Sequence, residues 1–168
     1  MNEPILTQLS QHHDKRGYFA KCYCENPKLN SYDCFKIKEV FYSTSTKNSI
    51  RGLHYQSPPF YQSKIITCIS GVITDVCVDL RNDTFGNVFT YKLNSTNSLY
   101  IPPYFAHGFK VLSQNATILY LCNEVYQKDQ ETGILYDSIN FDWGLKNPII
   151  SERDLSFEKL AREFHMLK

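Results

Sequence analysis

The sequence predicts an all-β domain, a sandwich or barrel built from many short strands. Three observations carry this prediction. Through the middle of the chain, strand-like runs alternate with turn residues at roughly 8–12-residue spacing. Aromatic residues make up 14% of the chain, with twelve tyrosines and eleven phenylalanines, and aromatic side chains favour pleated, half-buried surfaces. Helical periodicity occurs at one place only, the C-terminal end.

The elements can be justified in order. The opening MNEPILTQLSQHH has no basic segment leading into an apolar one, so no secretory signal is expected. The stretch SIRGLHYQSPPFYQSK places Gly52, His54 and Gln56 on one face of a strand, Leu53 and Tyr55 on the other, and closes on a double proline. KIITCIS and GVITDVCVDL are two strand-like runs around Ser70-Gly71, the signal of a hairpin. Period 2 sets Val76, Val78 and Leu80 on one face of the second run. Asp75, Cys77 and Asp79 then face either solvent or a polar cavity. FGNVFTYKL, a polar turn and LYIPP follow, and FAHGF starts a strand behind the fixed corner of Pro102-Pro103. TILYLCNEVY is a strand pair or one long strand in which Tyr120, Cys122, Glu124 and Tyr126 share a parity. Phe157, Leu160, Ala161 and Phe164 recur at helical spacing behind Ser156, a candidate N-cap, and predict a short helix packed on the outside.

Composition bounds the function. The 168 residues suit a single domain over 1–168, and the 42% apolar content gives it a core. A net charge of +1 makes no electrostatic case for nucleic acid or an anionic membrane. No apolar run approaches the roughly 18 residues of a membrane span. The six cysteines are read as reduced cytoplasmic thiols; Cys22-x-Cys24 lacks a partner pair at zinc spacing.

The candidate chemistry gathers on a few side chains. His54 stands in H-Y-Q, without a second histidine or nearby glutamate to complete a metal site, and glutamine is a poor transition-metal ligand. Lys64 shares a face with Ile66 and Cys68, so it can point inward, where a fixed positive charge stabilises an enolate oxygen. His107 by itself reads first as a structural histidine bonding a neighbour, Tyr120 is equally at home as a core residue, and Asp154 in S-x-x-D has capping as its ordinary role. The chain has no nucleophile elbow, phosphate loop or dinucleotide fingerprint. The residues alone leave the substrate open.

Taken in order, DKRGYF, RGLHYQ with QSK, DVCVDLR with TFG, IPPYFAHGF and SERD resemble the dTDP-4-dehydrorhamnose 3,5-epimerase family, from residue 14 to about residue 155. The resemblance implies a cupin-type jelly-roll β-barrel with a short C-terminal helical segment. It implies His54 as general base with Asp154 as its carboxylate, Tyr120 as the acid on the opposite sugar face, and Lys64 stabilising the enolate. His107 and Asp75 form a second inward pair. Arg16 and Arg51 contact substrate, chiefly the diphosphate; Tyr126 lines the sugar pocket, and Gln56 and Glu39 are further substrate-binding candidates. No metal or cofactor is called for, and a cytoplasmic homodimer with N-terminal strands paired across the interface is expected. The family's Q-x-N pair is replaced here by Glu39 and Phe41, and Lys21 stands where an acid is usual. These departures point to the sugar or its carrier as the variable part: a hexose or heptose on dTDP, GDP, UDP or CDP.

The leading reading is therefore an epimerase at C3, C5 or both of a 4-keto sugar nucleotide, serving surface-polysaccharide biosynthesis. A sugar-nucleotide 3,4-ketoisomerase, a non-catalytic sugar-binding barrel and a metal-dependent oxygenase are the alternatives.

Overall fold

The computed structural model describes residues 3–24 and 35–161. Twelve strands build two five-stranded antiparallel sheets and one separate hairpin. The first sheet runs, edge to edge, through β1 (Ile5–Gln8), β9 (Asn97–Ile101), β6 (Lys64–Ser70), β11 (Asn115–Cys122) and β4 (Glu39–Thr46). The second runs through β12 (Glu131–Gly133), β5 (Ile50–Gln56), β10 (Phe105–Val111), β7 (Ile73–Asp79) and β8 (Val88–Leu93). This is the double-sheet barrel expected, with β2 (Gln11–Asp14) and β3 (Gly17–Ala20) forming a hairpin that joins neither sheet.

The strands are specified by which faces they can bury. Ile66, Cys68, Cys77, Leu99, Phe105, Phe109, Ile118 and Tyr120 fill the space between the sheets. Leu53, Tyr55, Val76, Val78 and Leu80 project from the outer face of the second sheet and are covered by Ile134, Ile139 and Trp143 from the C-terminal segment. The second sheet is buried on both faces at β7, where every residue but Thr74 is buried. Its carboxylate face turns inward: Asp75 and Asp79 are both fully buried. A third cluster of Phe35, Ile65 and Leu121 covers part of the outer face of the first sheet.

Two expectations are corrected. Ser70-Gly71 is not the turn of a hairpin, because β6 and β7 belong to different sheets and the chain passes there from one layer to the other. Period 2 reports which face a residue occupies, not which strand its neighbour pairs with. The helix also lies earlier than its periodicity suggests. It spans Glu152–Leu155, with Ser151 as N-cap and Ser156 as C-cap, and Phe157–Ala161 is not helical. Backbone bonds from Leu135 N to Glu158 O (2.8 Å) and from Leu160 N to Ser138 Oγ (2.9 Å) hold that stretch in a non-helical course. Phe164 lies outside the described residues, as does Cys34. The other five cysteines are free thiols. Among the described residues no helix is long and apolar enough to cross a membrane.

Candidate active site

A cavity of about 170 Å³ opens where β4, β5, β6, β10, β11 and β12 come together. Arg51, His54, Lys64, His107, Tyr120 and Glu131 line it, with Phe41, Ser43, Gly108 and Phe109. A second depression of about 460 Å³ shares Arg51 and His54 with it and continues along Thr44, Ser49, Ser151, Arg153 and Asp154.

His54 reaches the cavity from β5, beside His107 on β10 and Gly133 on β12. Its Nε2 lies 2.9 Å from Asp154 Oδ1. An ionised carboxylate only accepts, so Nε2 carries the proton and Nδ1 is left as the basic ring atom. Asp154 is 4% exposed. Its Oδ2 accepts from the backbone N–H of Gly52 at 3.0 Å, and its own N–H donates to Ser151 Oγ at 3.1 Å. Burial alone would raise the carboxyl's pKa; the hydrogen bond and charge of His54, then Gly52 and Ser151, hold it below its ordinary value. The capping expected of the S-x-x-D pattern is thus present and performed by Ser151, which frees the Asp154 side chain for His54. Gly52 has φ +111°, and a Cβ there would lie 2.6 Å from Gly108 Cα and 2.7 Å from His107 O. Only glycine lets β5 and β10 approach this closely.

From the other sheet, β6 presents Lys64 to the same cavity. Its Nζ lies 3.4 Å from His107 Nε2, and His107 Nδ1 lies 3.3 Å from Asp75 Oδ2. Asp75 fixes the tautomer, so Nε2 accepts from the ammonium. Burial pulls the Lys64 pKa down, while Cys122, Glu131, Asp75 and Cys77 push it back up. Burial and then the Lys64 charge lower His107, which keeps its imidazole neutral. The thiol of Cys122, directly across from Lys64 on β11, is raised to about 11 by burial, so it stays protonated.

Tyr120 hangs from β11 with its hydroxyl 3.3 Å from Ser43 Oγ. Its ring stacks on Phe41, its cross-strand partner on β4, at 4.6 Å between centroids and 15° between planes. Burial raises the phenol well above its ordinary value, so it is a neutral donor at physiological pH. Arg51 is tethered by Nε to Ser45 Oγ at 2.7 Å. An imidazole with its carboxylate, a neutral phenol and a part-buried ammonium therefore surround one small space.

Not every expected residue faces it. Gln56 is spent on structure: its amide donates to Phe60 O and Val125 O and accepts from Gln127 N. Glu39 accepts from the backbone of Tyr126 at 3.2 Å, and neither side chain lines the cavity. Arg16 sits on the β2–β3 hairpin, paired with Asp14 at 2.6 Å and 84% exposed, away from the cavity of its own chain. Asp75 acts from behind His107 rather than lining the space. Conversely, Glu131, Ser43 and Phe109 line the cavity without having been singled out. Glu131 lies in a three-residue strand, too short for any periodicity to announce its direction.

Residues 1–162 match the family model described as dTDP-4-dehydrorhamnose 3,5-epimerase. A protein of that name from Shigella flexneri is 40% identical over 157 residues, covering 88% of this chain and 86% of the relative. One from Methanothermobacter thermautotrophicus is 34% identical over 167 residues, 93% of this chain and 89% of its own. Among solved structures, the dTDP-6-deoxy-D-glucose-3,5-epimerase of Legionella pneumophila in complex with dTDP-4-keto-L-rhamnose superposes with a TM-score of 0.90 at 29% identity, over 100% of this chain and 95% of that one. The Bacillus anthracis dTDP-4-dehydrorhamnose 3,5-epimerase with TDP and pyrophosphate bound gives 0.88 at 31% identity, over 94% of both chains.

Proposed function

Because this chain belongs to the dTDP-4-dehydrorhamnose 3,5-epimerase family, we propose that it inverts C3, C5 or both of a 4-keto sugar nucleotide by proton transfer through an enolate. The observation that carries the mechanism is the placement of the His54–Asp154 pair, Lys64 and Tyr120 around one cavity.

The 4-keto group acidifies the neighbouring C–H bonds, but not enough for an unaided imidazole. Nδ1 of His54 takes the proton; Asp154 stabilises the imidazolium that forms. The developing enolate oxygen is received by Lys64, whose charge needs no reorganisation at the moment of reaction. Tyr120 then returns a proton from the other face, which inverts the centre. The small cavity suits the sugar, and the adjoining depression with Arg51 at its junction suits the diphosphate and carrier.

The relatives' names specify dTDP sugars, and dTDP is accordingly the carrier proposed first. The cytoplasm is the compartment proposed for this chain. The hairpin β2–β3 exposes Tyr18 and Phe19 and pairs with neither sheet. This supports a homodimer in which Arg16 serves the partner's cavity.

Incubation with dTDP-4-keto-6-deoxy-D-glucose in D₂O tests the reading. Two deuterons in the product mean exchange at both C3 and C5, and one means a single centre. Absence of exchange with 4-keto sugars on each of dTDP, GDP, UDP and CDP would sink it. A constitutional isomer as product would favour ketoisomerisation instead.

A further inference from the structure

Phe157 stands beside the base although nothing in the mechanism above uses it. Its ring meets the His54 imidazole edge to face, at 5.6 Å between centroids and 81° between planes. It occupies a slot that the backbone has left open. Gly133 lies directly across from His54 on β12, and a Cβ there would be 2.3 Å from Phe157 Cε2 and 2.5 Å from Leu53 O. The ring has a charged neighbour too. The Arg153 guanidinium lies 5.6 Å from its centroid, and Arg153 Nη2 donates to Glu131 Oε2 at 2.5 Å. Leu160, a little further on, packs into the cluster behind the second sheet, and the backbone at Glu158 is bonded to Leu135. The side chain therefore has an anchored backbone, a fitted slot and one functional neighbour.

We propose that Phe157 is a positioning residue that holds the His54 imidazole in its working plane. The proposal rests on the reading of His54 as the base. A single hydrogen bond from Nε2 to Asp154 leaves the imidazole free to swing about that contact. An aromatic wall against the ring removes that freedom, and small misplacements of a reacting group are costly, about 10²-fold per Å. Phe157 meets the imidazole directly, and it borders Glu131 only through Arg153.

The test uses the full chain with Phe157→Ala and Phe157→Leu, assayed on dTDP-4-keto-6-deoxy-D-glucose and examined by NMR of the histidine ring protons. The expected result is a fall in kcat of about 10–100-fold for Phe157→Ala with KM changed less than about twofold, and partial recovery in Phe157→Leu. In both variants the His54 ring resonances broaden as the imidazole loses its fixed plane, a change separate from the shift that follows from removing the aromatic ring itself. A folded Phe157→Ala enzyme with wild-type kcat overturns the proposal. So does a Phe157→Leu protein whose His54 resonances stay as sharp as in the wild type, and this second variant decides the matter should the alanine variant not fold. If the wild type is inactive, or His54→Ala retains activity, the assignment of the base fails instead; the line widths of the His54 resonances still report whether Phe157 orders the ring.

Discussion

Lys64 and His107 meet at 3.4 Å, Nζ to Nε2, inside the barrel, with Asp75 on the far nitrogen of the imidazole. The contact settles which partner carries the charge: the imidazole accepts and the lysine donates. Lys64 works only as the ammonium, and burial has lowered its pKa from 10.5. The rate should therefore fall on the alkaline side at a pH below the ordinary lysine range, as Lys64 loses its proton. Groups facing it from the neighbouring strands (Asp75, Cys77, His107, Cys122 and Glu131) set where that limb lies. Lys64→Met should lower kcat by about 10²–10³-fold and abolish the limb in a pH–rate profile. A limb that survives the substitution belongs to another group.

Asp154→Asn should lower kcat by about 10²–10⁴-fold, since it removes the carboxylate that stabilises the imidazolium. It should also cost stability of about 1.5–3 kcal/mol at neutral pH, through the lost charged hydrogen bonds to His54 and Gly52. The pKa of Asp154 is depressed below 3.8 in the folded state. Its stabilisation is thus complete above that value and lost as the pH falls through the lower, folded-state value. Thermal melts of the two proteins should converge as the solution is acidified, and a constant difference would contradict the linkage.

Tyr120→Phe should separate the two halves of the reaction. Proton removal by His54 leaves solvent deuterium able to enter from the same face, so exchange persists. Inversion should slow by about 10²–10⁴-fold, the usual worth of a positioned acid. Because burial raises the phenol pKa, the wild type should show no Tyr120 limb in the mildly alkaline range. Mass and optical analysis of one product sample reads both effects.

Gly52→Ala should destabilise the fold by about 2–6 kcal/mol, strain and overpacking together. The added methyl meets Gly108 Cα and His107 O at 2.6 and 2.7 Å, at a φ of +111°. A denaturant titration measures it directly.

Much of this was legible in the sequence, but unevenly. The faces of β5 and β7 follow from alternation, because successive side chains leave a strand on opposite sides. The inward turn of Lys64 was open to the same reasoning, since Ile66 and Cys68 share its parity. The pairing of His54 with Asp154 was not, because no local pattern links residues a hundred positions apart; only the resemblance of SERD and RGLHYQ to a family suggested it. Phe157 misled for a physical reason. Its spacing from Leu160 imitates a helical face, yet each residue is apolar because it fills its own recess, one beside Gly133 and one in the second cluster. Arg16 lies on a hairpin that joins neither sheet, so no face of the barrel fixes its direction.

The contacts that make the site span long stretches of chain: 100 residues from His54 to Asp154, 77 from Ser43 to Tyr120, 43 from Lys64 to His107. Closing such loops is slow, because their entropy must be spent before any contact repays it. No contiguous half of the polypeptide holds a working fragment of the chemistry. During refolding, catalysis should thus return as the final signal, after circular dichroism has recovered. Turnover in this barrel is a clock for the completion of its topology.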